Sequence, residues 1–340
     1  MTNYGIELII FPVYTNILKD GAAMPLQELY DQITPDMAPL KVAVVNPTDD
    51  NSLRGAFEAA AAKLITPVLV GPKQAMEAEA KKDHIDISSF EIVDAPDDKT
   101  AAQIAAQMAG KGEVEGLMKG KLHTDDFLRP IVDKTNGLRT GERMGHVFVS
   151  KDPDYHKLQF ITDAAMNVAP DLKTKKSLIQ NAIDLFWKLE GHAPKVAILA
   201  ATEEVVDNQP ATTDADALQK MAENGEIKGG IVAGPMAMDI AISTEAAKLK
   251  DIFTKYKDKP IAKVAGDADI FVFPDLASGN IYFKSRTLLS HAEMGGVILG
   301  AKVPIILTSR AADAEERKAS AALALLSVRK KLPTAARPAA

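Results

Sequence analysis

The sequence predicts an α/β protein of two domains, each built on a parallel or mixed sheet flanked by helices. Three observations carry that expectation. Short runs rich in Val, Ile and Leu alternate with Ala-rich helical stretches every roughly 20–30 residues, the pattern of βαβ units. The alternation pauses at Lys151-Asp152-Pro153-Asp154-Tyr155, polar with a central proline, and then restarts. The length of 340 residues suits two domains of ordinary size, each able to bury its own core.

Taken in order, residues 1–40 read as an appendage. Its apolar run from Ile6 to Val13 is short, contains Glu7 and lacks a basic lead-in, so an N-terminal helix or extended arm is expected there, not a signal peptide. Strands are expected over 41–46, 66–71, 90–94 and 115–119, with helices over 52–64, 72–82 and 99–110 between them. Gly110 closes the third helix. A further strand is expected over 144–150. His146 alternates there with apolar neighbours, which suits a core or edge histidine.

The second half repeats the pattern. Strands are expected over 157–163, 195–200, 229–234, 268–275, 296–300 and 304–307. A helix covers 172–190, another runs to Asn224 with Thr212 or Thr213 as its cap, and Lys284 falls in a third. The last helix ends near Lys331, and Leu332 to Ala340 reads as a frayed tail. The domains expected are therefore 41–152 together with 301–332, and 153–300.

Composition narrows the function. A formal net charge of −6 argues against a generally basic nucleic-acid binder. No apolar run is long enough to span a bilayer, so no membrane partner is expected. The absence of cysteine removes disulfides, thiolate metal sites and a cysteine nucleophile, and fits a cytoplasmic setting. No metal site is expected.

Two stretches carry candidate chemistry. After the fourth strand come Lys119, Lys121, Thr124 and Arg129, donors gathered just beyond a strand's carboxyl end. This is not a P-loop, because Gly116 and Gly120 are too close together and Leu122 stands where Ser or Thr would hold magnesium. Gly110-Lys111-Gly112 precedes a strand, so it is no dinucleotide fingerprint. The second stretch is Pro304 to Glu316, a buried strand breaking at Thr308-Ser309-Arg310 and running into a helix. Helix-start N–H groups and one guanidinium make an anion site there. The plain alternative is Ser309 as a cap, Arg310 in water, and Asp313, Glu315 and Glu316 as favourable first-turn acids.

Several segments resemble the phosphate acetyltransferase and phosphate butyryltransferase family. They are Lys119-Gly120-Lys121-Leu122-His123-Thr124 with Leu128-Arg129-Pro130, Ile161 to Asn167, Val196 to Leu199 with Glu203, and Gly234 to Asp239. Ala265 to Ile270, Pro274-Asp275 with Gly279 to Lys284, Gly300 to Pro304, and Thr308-Ser309-Arg310 complete the set, in family order from about 41 to 330. The resemblance implies a fold like that of the isocitrate and isopropylmalate dehydrogenases, an active site in the cleft between domains, a homodimer, and a C-terminal segment that returns to the first domain. It implies the reversible reaction of acyl-CoA with phosphate to give acyl phosphate and CoA, by direct transfer in a ternary complex, with coenzyme A as substrate and no tightly bound cofactor. Arg310 and Arg129 would hold phosphate, and Ser309 or a backbone N–H would hold the oxyanion. Glu316, seven residues after the serine, or Asp313 would act as base on the CoA thiol. Asn280 and Lys284 would bind CoA or close the cleft. An NAD(P)-dependent decarboxylating dehydrogenase and a non-catalytic CoA sensor of the same fold are the competing expectations. The first lacks a clear set of paired metal-binding aspartates in the sequence.

Overall fold

The computed structural model describes residues 26–308 and 312–336. Its strands are β1 (Leu40–Val45), β2 (Ile65–Gly71), β3 (Glu91–Asp94), β4 (Gly116–Lys119), β5 (Gly145–Lys151), β6 (Gln159–Thr162), β7 (Lys195–Leu199), β8 (Ile231–Met236), β9 (Ile270–Val272), β10 (Glu293–Leu299) and β11 (Ile305–Ile306). Each falls on a segment read as a strand from the sequence. They form one mixed sheet in the order β3-β2-β1-β4-β11-β10-β5-β6-β9-β7-β8. The first five are parallel neighbours. β10 and β5 each run antiparallel to both neighbours, and β6, β9, β7 and β8 are parallel again. The sheet is thus continuous through the middle of the chain, carried by the seven-residue pairing of β5 with β10.

The parallel strands are apolar almost throughout because helices cover both faces. Val42, Val44, Leu69 and Val297 are fully buried. The helix Ala314–Arg329 lies over β10 and against the helix Asp50–Ala61. Glycine permits that approach: a Cβ on Gly295 would sit 3.0 Å from the Ala319 carbonyl carbon, and one on Gly55 2.5 Å from Arg317 Cδ. Leu323, Leu325 and Leu326 of this helix are wholly buried, each worth about 1.5–3 kcal/mol. This helix thus packs on the helix Asp50–Ala61, and β11 just before it lies beside β4.

The structure departs from the sequence reading in four places. Residues 124–132 form a helix (Thr124–Val132) where donors on a loop were expected. Asp125 and Asp126 favour its first turn, and Phe127 and Ile131, four apart, bury one face. The helix expected to be capped by Thr212 or Thr213 begins at Pro210, with Gln209 as cap. Proline suits the first helical position, and the Thr212 hydroxyl bonds back to the Val206 and Gln209 carbonyls instead. A cluster of short helices spans Met238–Ile242 through Pro260–Val264. Part of the tail expected to fray is packed: Ala336 is fully buried, and its carbonyl lies 2.3 Å from where a Cβ on Gly229 would stand. The run from Ile6 to Val13 lies outside the described residues.

Candidate active site

In an open α/β sheet, ligands bind beyond the carboxyl ends of strands where the strand order reverses. Here the chain passes from β1 outward to β2 and β3, then crosses to β4 on the other side of β1. The crevice between β1 and β4 is that switch point, and Lys119-Gly120-Lys121 forms its floor. Gly120 N–H donates to the Val45 carbonyl (2.9 Å) and Lys121 N–H to that of Asn46 (2.8 Å). A Cβ at Gly120 would stand 2.4 Å from the Val45 carbonyl oxygen, so glycine is required for this approach. Asn46, buried with φ 52°, ties the crevice together by donating to Asp98 (2.7 Å) and the Lys121 carbonyl (2.6 Å).

Lys119 is the last residue of β4 and is buried, whereas Lys121 is exposed and Thr124 opens the following helix. Arg129 is exposed in the last turn of that helix. β11 lies beside β4, with Ile305 opposite Leu117 and Ile306 opposite Met118. The chain therefore leaves β11 at Thr308 next to the Lys119 end of β4. Ser309 and Arg310 lie outside the described residues. On their far side, Asp313 caps the helix Ala314–Arg329 by accepting from the Glu316 N–H at 2.8 Å. One residue on, Arg317 reaches back to the crevice and donates to the Lys119 carbonyl at 3.3 Å.

Glu316 is the electrostatically distinctive member. An acid in a helix's first turn ordinarily has its carboxylate favoured by the N-terminal dipole. The Glu316 carboxyl is instead pushed up to about 7, chiefly by burial and secondarily by Asp313, with Arg317 pulling the other way. Desolvation outweighs the dipole. Asp313, Glu315 and Glu316 line a cavity of ≈ 630 Å³ together with Thr287, Glu293 and Met294, which belong to the helix Leu276–Leu289 and to β10. Asp313 and Glu316 are thus brought together as the sequence suggested. Lys119, Lys121, Thr124 and Arg129 do not line that cavity; Arg317, next to Glu316, bonds to the Lys119 carbonyl.

Asn280 and Lys284 sit on the helix Leu276–Leu289. Lys284 is exposed. The Asn280 side chain donates to the Ala164 carbonyl at 3.0 Å, which secures the loop after β6. In that loop buried Asp163 accepts from the N–H groups of Ala165, Met166 and Asn167.

Three residues near this site escaped sequence reasoning. Arg317 looked like any helix-surface cation, yet it is buried beside Gly55. Tyr30 lies in the appendage and lines the cavity. His146 is completely buried, as its alternation with apolar neighbours suggested, but its Nε2 lies 3.1 Å from the Leu307 carbonyl at the exit of β11. Burial holds the imidazole's pKa down, with Asp163 opposing. Its ring lies tilted against Phe148 at 4.0 Å, and Phe148 stacks on Phe283 of the helix Leu276–Leu289 at the same spacing. Only the distance in sequence hid these contacts.

A carboxylate held near neutrality, one residue from an arginine that reaches the Lys119 carbonyl, suits a group-transfer enzyme that handles an anion and a proton together. Comparison with known proteins makes this specific. Residues 98–325 match the family model described as "Phosphate acetyl/butaryl transferase". The chain is 46% identical over 289 residues to a phosphate acetyltransferase of Rhizobium meliloti, covering 85% of this chain and 89% of that protein. It is 37% identical over 286 residues to a phosphate butyryltransferase of Clostridium acetobutylicum, covering 84% and 92%. A branched-chain phosphotransacylase from Enterococcus faecalis V583 shares the structure with a TM-score of 0.72 at 28% identity, over 86% of this chain and all of that one. A 4-hydroxythreonine-4-phosphate dehydrogenase from Klebsiella pneumoniae, at TM-score 0.52 and 10% identity over 85% of this chain and 99% of that one, shares the fold alone. The chain belongs to the phosphate acetyl/butyryl transferase family and is an acyltransferase. Among the described residues no helix is long and apolar enough to cross a membrane.

Proposed function

We propose that this phosphate acyltransferase interconverts acyl-CoA plus inorganic phosphate with acyl phosphate plus CoA by direct transfer in a ternary complex, in a cleft between two domains, 41–152 with 301–332 and 153–300. The observation that carries the reading is Glu316, a half-buried carboxyl pushed up to about 7, one residue from the arginine that reaches the Lys119 carbonyl. A base poised near the working pH is what removal of a thiol proton requires.

In the direction of acyl-CoA synthesis, the CoA thiol gives its proton to Glu316 and the sulfur attacks the carbonyl carbon of acyl phosphate. The tetrahedral oxyanion is held by Ser309 or a backbone N–H, the C–O bond to phosphate breaks, and phosphate leaves. In the other direction a phosphate oxygen attacks the thioester, the C–S bond breaks, and Glu316 returns the proton to the departing thiolate. Arg310 and Arg129 hold the phosphoryl group, with Lys119, Lys121 and Thr124 supplying further donors. Asp313 is the neighbour that raises the Glu316 pKa. Asn280 and Lys284 support the CoA side.

We assign the cytoplasm as the setting and a homodimer as the assembly. The helix Leu276–Leu289 presents Ile281, Leu288 and Leu289 to solvent at 69–79% exposure, one face at seven- and eight-residue spacing that a second copy would cover. The test of the reaction is direct. Incubation with acetyl- or butyryl-CoA should release free thiol only when phosphate is added, and thiol release without phosphate would refute the proposal.

A further inference from the structure

The cavity beside Glu316 is walled in part by a segment whose purpose the sequence left open. The single helical turn Gln27–Tyr30 brings Tyr30 to it, with Leu26 just before, and the end of the helix Asp50–Ala61 brings Ala62. All three precede residue 98, where the match to the family model begins. Ala292 and Met294 at the start of β10 and Ala319 on the last helix, all three buried, line it as well. These six side chains give the cavity an apolar lining.

Its charges say what it will not take. Among the described residues that line it, Glu293, Asp313, Glu315 and Glu316 are acidic, and Lys318 and His291 are the basic ones. Lys318 is already engaged, paired with Glu315 at 2.6 Å and 5.9 Å from the centre of the Tyr30 ring. An acidic rim repels phosphate groups, so neither inorganic phosphate nor the phosphates of CoA belong here. They belong at the crevice with Lys119 and Lys121. A neutral, apolar group fits this lining.

We infer that the cavity receives the acyl chain of the thioester, and that Tyr30, Leu26 and Ala62 form the wall that limits its length. The inference rests on the proposed role of Glu316. The sulfur must come within hydrogen-bond reach of that carboxylate, so the carbons attached to the thioester begin at the mouth of the cavity. The residues shared with the family model then carry the common chemistry, and a wall contributed by earlier residues sets which acyl group enters.

The test is a kcat/KM series over acetyl-, butyryl- and hexanoyl-CoA. Ala62 is exposed at a helix end, so a larger side chain there extends into the cavity without displacing core residues. Ala62→Phe should lower the butyryl-to-acetyl ratio by about tenfold or more, because steric exclusion of one or two methylenes is worth roughly that much. Tyr30→Ala should shift the ratio the opposite way, toward hexanoyl-CoA. If Ala62→Phe depresses all three substrates equally, or Tyr30→Ala leaves the ratios unmoved, the acyl wall lies elsewhere. These outcomes are separable from the reaction itself. Wild-type protein inactive with phosphate on every chain length would refute the proposed function, whereas normal wild-type transfer with ratios that neither variant changes refutes only the wall.

Discussion

Glu316→Gln should make the protein more stable and less active, and the two effects should share one pH dependence. Folding lifts the carboxyl from its ordinary 4.5 to about 7. At about 1.36 kcal/mol for each tenfold change in proton affinity, that rise amounts to roughly 3 kcal/mol. The sign follows from proton counting. The folded state holds the proton more tightly, so stability from this group is complete below the unfolded pKa and is lost as pH rises through 4.5 to about 7. Above that window the folded protein carries a costly, half-desolvated carboxylate. Glutamine removes the charge at the expense of a first-turn acid worth only about 0.3–1 kcal/mol, so desolvation wins. Urea unfolding of both proteins should therefore show the variant ahead by up to about 3 kcal/mol at pH 8, with the gap nearly closed at pH 5. In the same samples, the rate of acyl-CoA formation by wild type should rise about tenfold from pH 6 to pH 8, and the variant should lose about a hundredfold or more along with that limb. A variant less stable than wild type at pH 8, or one that keeps the acid limb, would show that Glu316 is not a desolvated base.

Four further outcomes test the remaining arguments. Arg310→Ala should lose at least about tenfold in kcat/KM for phosphate, about 1.4 kcal/mol of transition-state binding, and an unchanged rate would remove Arg310 from the site. His146→Leu strips the Leu307 carbonyl of its partner. It should cost about 1–3 kcal/mol in unfolding and raise the KM for phosphate, while His146→Gln, which keeps a donor on that side, should restore both. Gly55→Ala would place a Cβ 2.5 Å from Arg317 Cδ, and overpacking there should cost about 1–3 kcal/mol in denaturant midpoints. Leu288→Lys, on the exposed face of its helix, should convert a sedimenting dimer to monomer with the fold intact by circular dichroism.

The strands were legible because burial on both sides leaves a local mark, a run such as Lys41 to Val45 or Ile270 to Val272 with few polar interruptions. The helix Thr124–Val132 was less so. Its Lys, Thr and Arg drew attention as donors, and only Phe127 with Ile131 betrayed a buried face. Thr212 illustrates a local contest, in which proline at the first helical position displaced the expected cap. For the site, the family resemblance points to Glu316, seven residues after Ser309, with Asp313 as the competing candidate. Nothing in the spacing says that burial lifts one of them to near neutral pH.

Local composition alone determined the α/β class, the places of the eleven strands, and the ordered motifs that mark the family, because each depends on residues near one another along the chain. Tertiary structure decided what sequence separation conceals. It made a single sheet from both halves through β5 and β10, seated Arg317 against Gly55 and Lys119, and brought Tyr30 and Met294 to one cavity. The physical reason is that desolvation and close packing depend on which distant segments exclude water from a side chain, and that is settled only when the chain has closed on itself.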